Sequence, residues 1–185
     1  MTTQVLFVQG AGANAHDEWD SKLVQSLKRE LGADYTIRYP LMPGEGDPSY
    51  AAWKSALLKE FKSLENGAIL VGHSVGGAVL LHVLVEKRLP FSPGALILIA
   101  APYIGDGGWP SDDIKSRTDF AERMPAPLSV FLYHGTEDQT VPFAHVELYR
   151  RVIPQAVVRA LNHRDHQLNN DLKEVAQDIR SVPPQ

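Results

Sequence analysis

Short runs rich in β-branched and aromatic residues recur along the chain at residues 5–8, 35–39, 68–71, 95–100, 129–133 and 156–161. Bounded by glycine, proline and polar residues, they read as six strands. Between them the apolar positions change period. Trp19, Leu23, Leu27 and Leu31 are spaced four apart, as are Trp53, Leu57 and Phe61, while Leu168, Leu172, Val175 and Ile179 follow the i, i+4, i+7, i+11 rhythm. That spacing lays one apolar stripe along a helix and turns it toward a sheet. Asp47 before Pro48 predicts a helix start, a capping residue followed by proline at the first helical position. Asn169, Asn170 and Asp171 place short polar groups where the last helix should begin.

Strand and helix alternate from end to end, and several strands are apolar on both faces. A sheet buried on both sides needs helices on both sides. The expected architecture is therefore α/β, with three α/β/α layers around a mostly parallel six-stranded sheet. Sheets of this kind hold their sites at the carboxyl ends of the strands.

Composition narrows the picture. A chain of 185 residues suits one domain, read here as spanning residues 1–185, with a core large enough to do without metal or disulfide staples. The absence of cysteine excludes a disulfide scaffold, a thiol nucleophile and a Cys-based zinc site. Eighteen basic and 22 acidic residues, scattered to a net charge of −4, offer no electrostatic footprint for nucleic acid. The longest apolar run, residues 95–102, is far short of the roughly 20 residues that span a bilayer. The amino terminus, MTTQVLFVQ, has neither a basic start nor a cleavage site, so the expected location is the cytoplasm, with no membrane association.

The chemistry begins after the third strand. Gly72-His73-Ser74-Val75-Gly76-Gly77 leads into the apolar run Ala78 to Leu84, which places G-x-S-x-G between a strand and a helix. A sharp turn there lifts the serine hydroxyl above the sheet edge and presses the flanking backbones together, leaving room only for small residues two positions either side. The bland reading is a glycine-rich turn with a capping serine. A nucleophilic serine also needs a base and an oxyanion site from other strand ends. The loop after strand five, His134-Gly135-Thr136-Glu137-Asp138 to Pro142, offers a carboxylate, with Asp138 and Glu137 as candidates and Asp106 as a third. The loop after strand six, Asn162-His163-Arg164-Asp165-His166-Gln167, offers His166 or His163. His73 reads as a packing residue or a partner behind the site, and His82 as a helix-surface or satisfied core residue. His16, His134 and His145 stand in no metal-ligand spacing, so no metal is expected.

The G-H-S-x-G-G turn, the H-G-x-x-D-x-x-V-P loop and a late histidine before the last helix together resemble the α/β-hydrolase fold. The chain order Ser, Asp, His is that family's order. The match covers nearly the whole chain, and its largely cap-less form is similar to the small serine hydrolases related to retinoblastoma-binding protein 9. The resemblance implies a triad of Ser74, Asp138 and His166, with the backbone N–H groups of Val75 and Ala11 as oxyanion donors, an acyl-enzyme mechanism on small esters, thioesters or activated amides, and no cofactor. Trp109 and Tyr103, from the 103–127 connection, and Met42 are candidate pocket walls. Trp19 is a further candidate wall, but its spacing assigns it to its helix's apolar stripe. With only about 25 residues in that connection no large cap fits, and an open pocket follows. The oligomeric state is left open.

Two other readings have a footing in the sequence. One is a hydrolase-fold interaction module with little or no activity, although a partner motif containing cysteine is impossible here. The other is dinucleotide binding through Gly10-Ala11-Gly12, which fits the loose G-x-G-x-x-A pattern. It lacks the acidic residue wanted near the end of strand two, where Arg38-Tyr39-Pro40 stands instead.

Overall fold

A computed structural model describes residues 2–183. The strands are β1 (Thr3–Val8), β2 (Tyr35–Arg38), β3 (Ile69–His73), β4 (Ala95–Ile99), β5 (Ser129–Gly135) and β6 (Val157–Leu161), and the helices are α1 (Ser21–Leu31), α2 (Tyr50–Phe61), α3 (Ser74–Glu86), α4 (Phe120–Arg123), α5 (Ala144–Val152) and α6 (Lys173–Ser181). The strands lie in the order β2-β1-β3-β4-β5-β6. All five pairings are parallel, so the sheet is more uniform than the mostly parallel one expected.

Period-two alternation divides each inner strand between two cores. Leu6, Val8, Leu70, Leu96, Leu98, Val130 and Leu132 face the layer containing α2 and α3, while Val5, Phe7, Ile69, Val71, Ile97, Ile99 and Phe131 face α1 and α6. On that second face Leu23, Leu27 and Leu31 of α1 and Val175 and Ile179 of α6 are buried, as their spacing requires. Helix α3 is buried along nearly its whole length, because α2 and α4 cover the side turned away from the sheet. Edge strand β6 is half exposed. A two-bond clamp ties it to α6, with Arg159 Nε and Nη2 donating to Asp178 at 2.9 Å each.

Three local expectations need correction. Trp19 is 54% exposed: a six-residue π-helical turn, Ala15–Asp20, precedes α1, and its wider winding breaks the four-residue register before Leu23. Asp47-Pro48 lies in a turn closed by Asp47 N–H donating to Gly44 O (3.0 Å), and α2 opens with Trp53 N–H on Ser49 O (3.0 Å). The last helix begins at Lys173. Asn169 and Asn170 adopt left-handed backbone in the preceding turn, Leu172 takes the N-cap position, and of the three polar residues only Asp171 reaches the helix start, accepting the Lys173 amide at 3.1 Å.

The chain turns back on itself between β1, which continues outward to β2, and β3, which starts the other half of the sheet. This switch point opens a crevice at the carboxyl ends of β1 and β3. Among the described residues no helix is long and apolar enough to cross a membrane.

Candidate active site

Ser74 is the first residue of α3, directly after β3, with φ at 51°. A non-glycine residue in left-handed backbone is strained, and the surroundings must hold it there. They do so by close packing of bare backbone. A Cβ on Gly72 would lie 2.5 Å from the Gly77 Cα, and one on Gly76 would lie 2.0 Å from the Gln9 carbonyl oxygen. The two glycines therefore do different jobs, Gly72 closing the turn on itself and Gly76 seating the turn against β1. We expect Gly76→Ala to push α3 off the end of β1 and to lose on the order of 3 kcal/mol of stability. A urea unfolding curve measures this, and a loss below about 1 kcal/mol would contradict the packing argument.

The two loops that follow β5 and β6 are joined along their length. Thr136 N–H donates to Leu161 O and Glu137 N–H to Arg164 O, each at 3.0 Å, and a Cβ on Gly135 would lie 2.2 Å from the Arg164 carbonyl oxygen. The histidine loop is also braced from within, since Asp165 Oδ1 accepts the amides of Gln167 (3.0 Å) and Asn169 (2.8 Å) while Asn169 Oδ1 accepts that of Asp165 (3.0 Å).

These loops bring the candidate side chains together. His166 Nδ1 lies 2.8 Å from Asp138 Oδ2, and His166 Nε2 lies 3.0 Å from Ser74 Oγ. A carboxylate only accepts, so Nδ1 carries the proton and Nε2 is left as the acceptor facing the serine hydroxyl. Glu137 and His163 face each other instead, 2.7 Å apart and both exposed. Asp106 is exposed on the loop after β4.

Asp138 is inaccessible and fully engaged. Its Oδ1 accepts Thr140 N–H at 2.8 Å and Val141 N–H at 2.9 Å, and Oδ2 takes His166 with His134 Nε2 at 3.2 Å. Burial opposes ionisation of this carboxyl, but the hydrogen bonds from His134 and His166 outweigh it and hold the group well below the usual carboxylate range. Burial is also the largest influence on His166, lowering its basicity against the pull of Asp138, so that the net shift is downward. A base held neutral at physiological pH can take a proton from the hydroxyl.

Two backbone amides belong to residues that line the crevice beside Ser74. Those of the first turn of α3, Val75 included, have no carbonyl four residues back to serve. The Ala11 amide, after β1, donates to no acceptor among the described residues. Both residues line an open cleft of about 600 Å³, together with Ser74, His166, Thr140, Trp19 and Trp109. Trp109 is held there by Trp109 N–H donating to Tyr103 O at 2.8 Å. The other two proposed wall residues are core. Met42 is 1% exposed and Tyr103 is 4% exposed, because Met42 packs in the core cluster with its amide donating to Gln9 Oε1 (3.0 Å) and Tyr103 gives its amide to His145 Nδ1 (2.9 Å) and its hydroxyl to Arg117 O (3.1 Å). Trp19 takes their place in the wall.

Pattern reading missed the buried Asp20 and His134 and the half-buried Gln167, polar partners for which no local spacing is a signal. Asp20 is 1% exposed, and its Oδ2 accepts the Gly10 amide at 2.7 Å. A buried carboxylate therefore sits where the dinucleotide reading wants a phosphate, and it would repel one. The histidines weighed as metal ligands are engaged elsewhere. His16 stacks on Tyr39 with ring centroids 4.0 Å apart, and no group of three or more metal-ligating side chains occurs among the described residues.

Residues 5–184 match the alpha/beta hydrolase family. No curated protein matches the sequence. The structure is similar to the ydeN gene product of B. subtilis (21% identity, TM-score 0.77, covering 98% of each chain). It is also similar to an esterase domain from Rhodothermus marinus (21% identity, TM-score 0.68, 97% of this chain and 85% of that one). A Xanthomonas campestris serine hydrolase described as having no lid shares 15% identity at a TM-score of 0.66, over 99% of this chain and 84% of that one. At these identities the likeness is one of fold, and it includes the lid-less form.

Proposed function

Because the chain belongs to the alpha/beta hydrolase family, we propose that it is a serine hydrolase acting on small acyl esters, and on thioesters or activated amides of similar size, through an acyl-enzyme. The observation that carries this reading is the continuous hydrogen-bonded line from Asp138 through His166 to Ser74, at 2.8 and 3.0 Å.

His166 Nε2 accepts the Ser74 proton as the hydroxyl oxygen attacks the carbonyl carbon, and Asp138 holds the ring and stabilises the imidazolium that forms. The carbonyl oxygen becomes an oxyanion facing the Val75 and Ala11 amides, which are unengaged among the described residues and so need no reorganisation. His166 then gives its proton to the leaving alcohol, thiol or amine. Water, activated by the same nitrogen, attacks the acyl-enzyme, and the serine oxygen leaves with the proton. An open cleft walled by Trp19 and Trp109 suits a short or planar acyl group, and esterases among the structural neighbours support ester substrates.

The test is labelling with a fluorophosphonate, which reacts with an activated serine, followed by peptide mapping and hydrolysis of a series of p-nitrophenyl esters. The expected label is on Ser74, with the short acyl chains turned over fastest. An unlabelled protein that hydrolyses none of the esters would overturn the reading.

A further inference from the structure

Beside the proposed catalytic line lies a second buried imidazole and carboxylate pair that the reaction does not use. His73 and Asp20 are each 1% exposed. His73 Nδ1 is 2.9 Å from Asp20 Oδ2, and His73 Nε2 is 3.0 Å from the carbonyl oxygen of His166. Both partners are acceptors, so both ring nitrogens must donate. A neutral ring would turn a lone pair toward an oxygen at a site buried from solvent. A proton on Asp20 in place of the ring is the competing arrangement. Three donors converge on that carboxylate, His73 and the Gly10 amide (2.7 Å) on Oδ2 and Gln167 Nε2 (3.2 Å) on Oδ1, a set that suits the anion.

We infer that His73 is a constitutive imidazolium, neutralised by Asp20, which acts as a positioning residue for the proposed catalytic base by holding the His166 backbone and presenting a fixed positive charge to its ring. The pair joins four segments that the sheet brings to one place: the loop after β1 at Gly10, the π-helical turn at Asp20, the turn at His73 and the histidine loop at His166 and Gln167. The His73 and His166 ring centroids are 4.8 Å apart. A positive charge there disfavours a second proton on His166 and so extends the range in which the base is free. Asp20 and Asp138 oppose this, since each favours protonation of the rings it faces, and Tyr39 stays neutral beyond Asp20 because burial and that carboxylate hold its hydroxyl far above the usual range. Burial works against the charge on His73, and Asp20's charge and hydrogen bond overcome it, leaving the ring more basic than an ordinary histidine.

The kinetic part of this inference rests on the serine-hydrolase reading, but the charge state does not. In protein labelled with ¹⁵N-histidine, the His73 ring is expected to show a directly bonded proton on both nitrogens from pH 6 to pH 8, read by NMR. A single protonated nitrogen at pH 7 overturns the inference whatever the enzyme does. In His73→Gln the acid limb of kcat/KM is expected to move up by roughly one pH unit. Its kcat should fall on the order of 10-fold while KM stays nearly constant. Combining it with Asp20→Asn, which removes the stranded carboxylate, should return part of the limb shift. A folded His73→Gln variant with an unmoved acid limb also overturns the inference. Fluorophosphonate labelling of Ser74 in the same sample separates the two failures: label with a neutral His73 removes only this inference, and no label removes the hydrolase reading.

Discussion

Ser74→Ala is expected to lower kcat for p-nitrophenyl acetate by a factor on the order of 10⁶, equivalent to about 8 kcal/mol of transition-state stabilisation. In the proposed mechanism the hydroxyl oxygen forms the covalent bond, and neither His166 nor the Val75 and Ala11 amides can replace it, which makes the expected loss this large. Residual turnover should reflect only the oxyanion donors and the cleft acting on water. The fold should survive. Alanine adopts the 51° φ of Ser74 with the same strain as serine, and only the hydrogen bond to His166 is lost, about 1 kcal/mol. Glycine at the same position removes the nucleophile and also relieves the strain, so Ser74→Gly should be inactive and more stable than Ser74→Ala by about 1 kcal/mol. Steady-state kinetics with thermal unfolding checks both. Appreciable activity in a folded Ser74→Ala protein would dismantle the mechanism.

Asp138→Asn is expected to reduce kcat by about 10⁴, and the reason lies in how the carboxylate is occupied. Each oxygen of Asp138 faces two donors, backbone amides on Oδ1 and imidazoles on Oδ2. An asparagine has one acceptor oxygen. If that oxygen keeps the Thr140 and Val141 amides, the side-chain NH₂ points at His166 Nδ1 and forces the other tautomer. Nε2 then carries the proton, faces Ser74 Oγ as a donor and no longer serves as the base. KM should change little, because Asp138 is walled off from the cleft. Glu137→Gln is the control for the neighbouring carboxylate. Glu137 is exposed and pairs with an exposed His163, an interaction worth roughly 0 to 1 kcal/mol, so activity should remain close to that of the parent. A large loss in Glu137→Gln with little in Asp138→Asn would reverse the assignment of the acid.

The alternation of periods along the chain is enough to place every strand and the major helices, since period two and period 3.6 are properties of local backbone geometry that a burial pattern must obey. It is equally enough to place the serine turn, because a strained turn between strand and helix tolerates few residues besides glycine on either side, and Gly72 and Gly76 stand where the backbone closes. Signals that depend on one local propensity were less secure. Asp47-Pro48 favours a helix start but is taken by a turn, and the stripe through Trp19 is broken by a π-helical turn that no spacing announces.

What the sequence by itself determined is a set of candidate groups and their order along the chain: a serine on a tight turn, then a carboxylate, then an imidazole, each at the end of a strand. What only the tertiary structure decided is which neighbour faces which. Asp138 reaches His166 across 28 residues and His166 reaches Ser74 across 92, while Glu137 and His163, one and three positions away, meet in solvent. Adjacent residues on a loop differ in direction, and direction follows from the close approach of Gly135 to the Arg164 carbonyl and from the bonds of Asp165, all contacts between segments. For the same reason Met42 and Tyr103 turned inward and Trp19 outward. Asp20 and His73 were readable as letters only; their pairing, 53 residues apart, exists because the sheet carries both to one buried site.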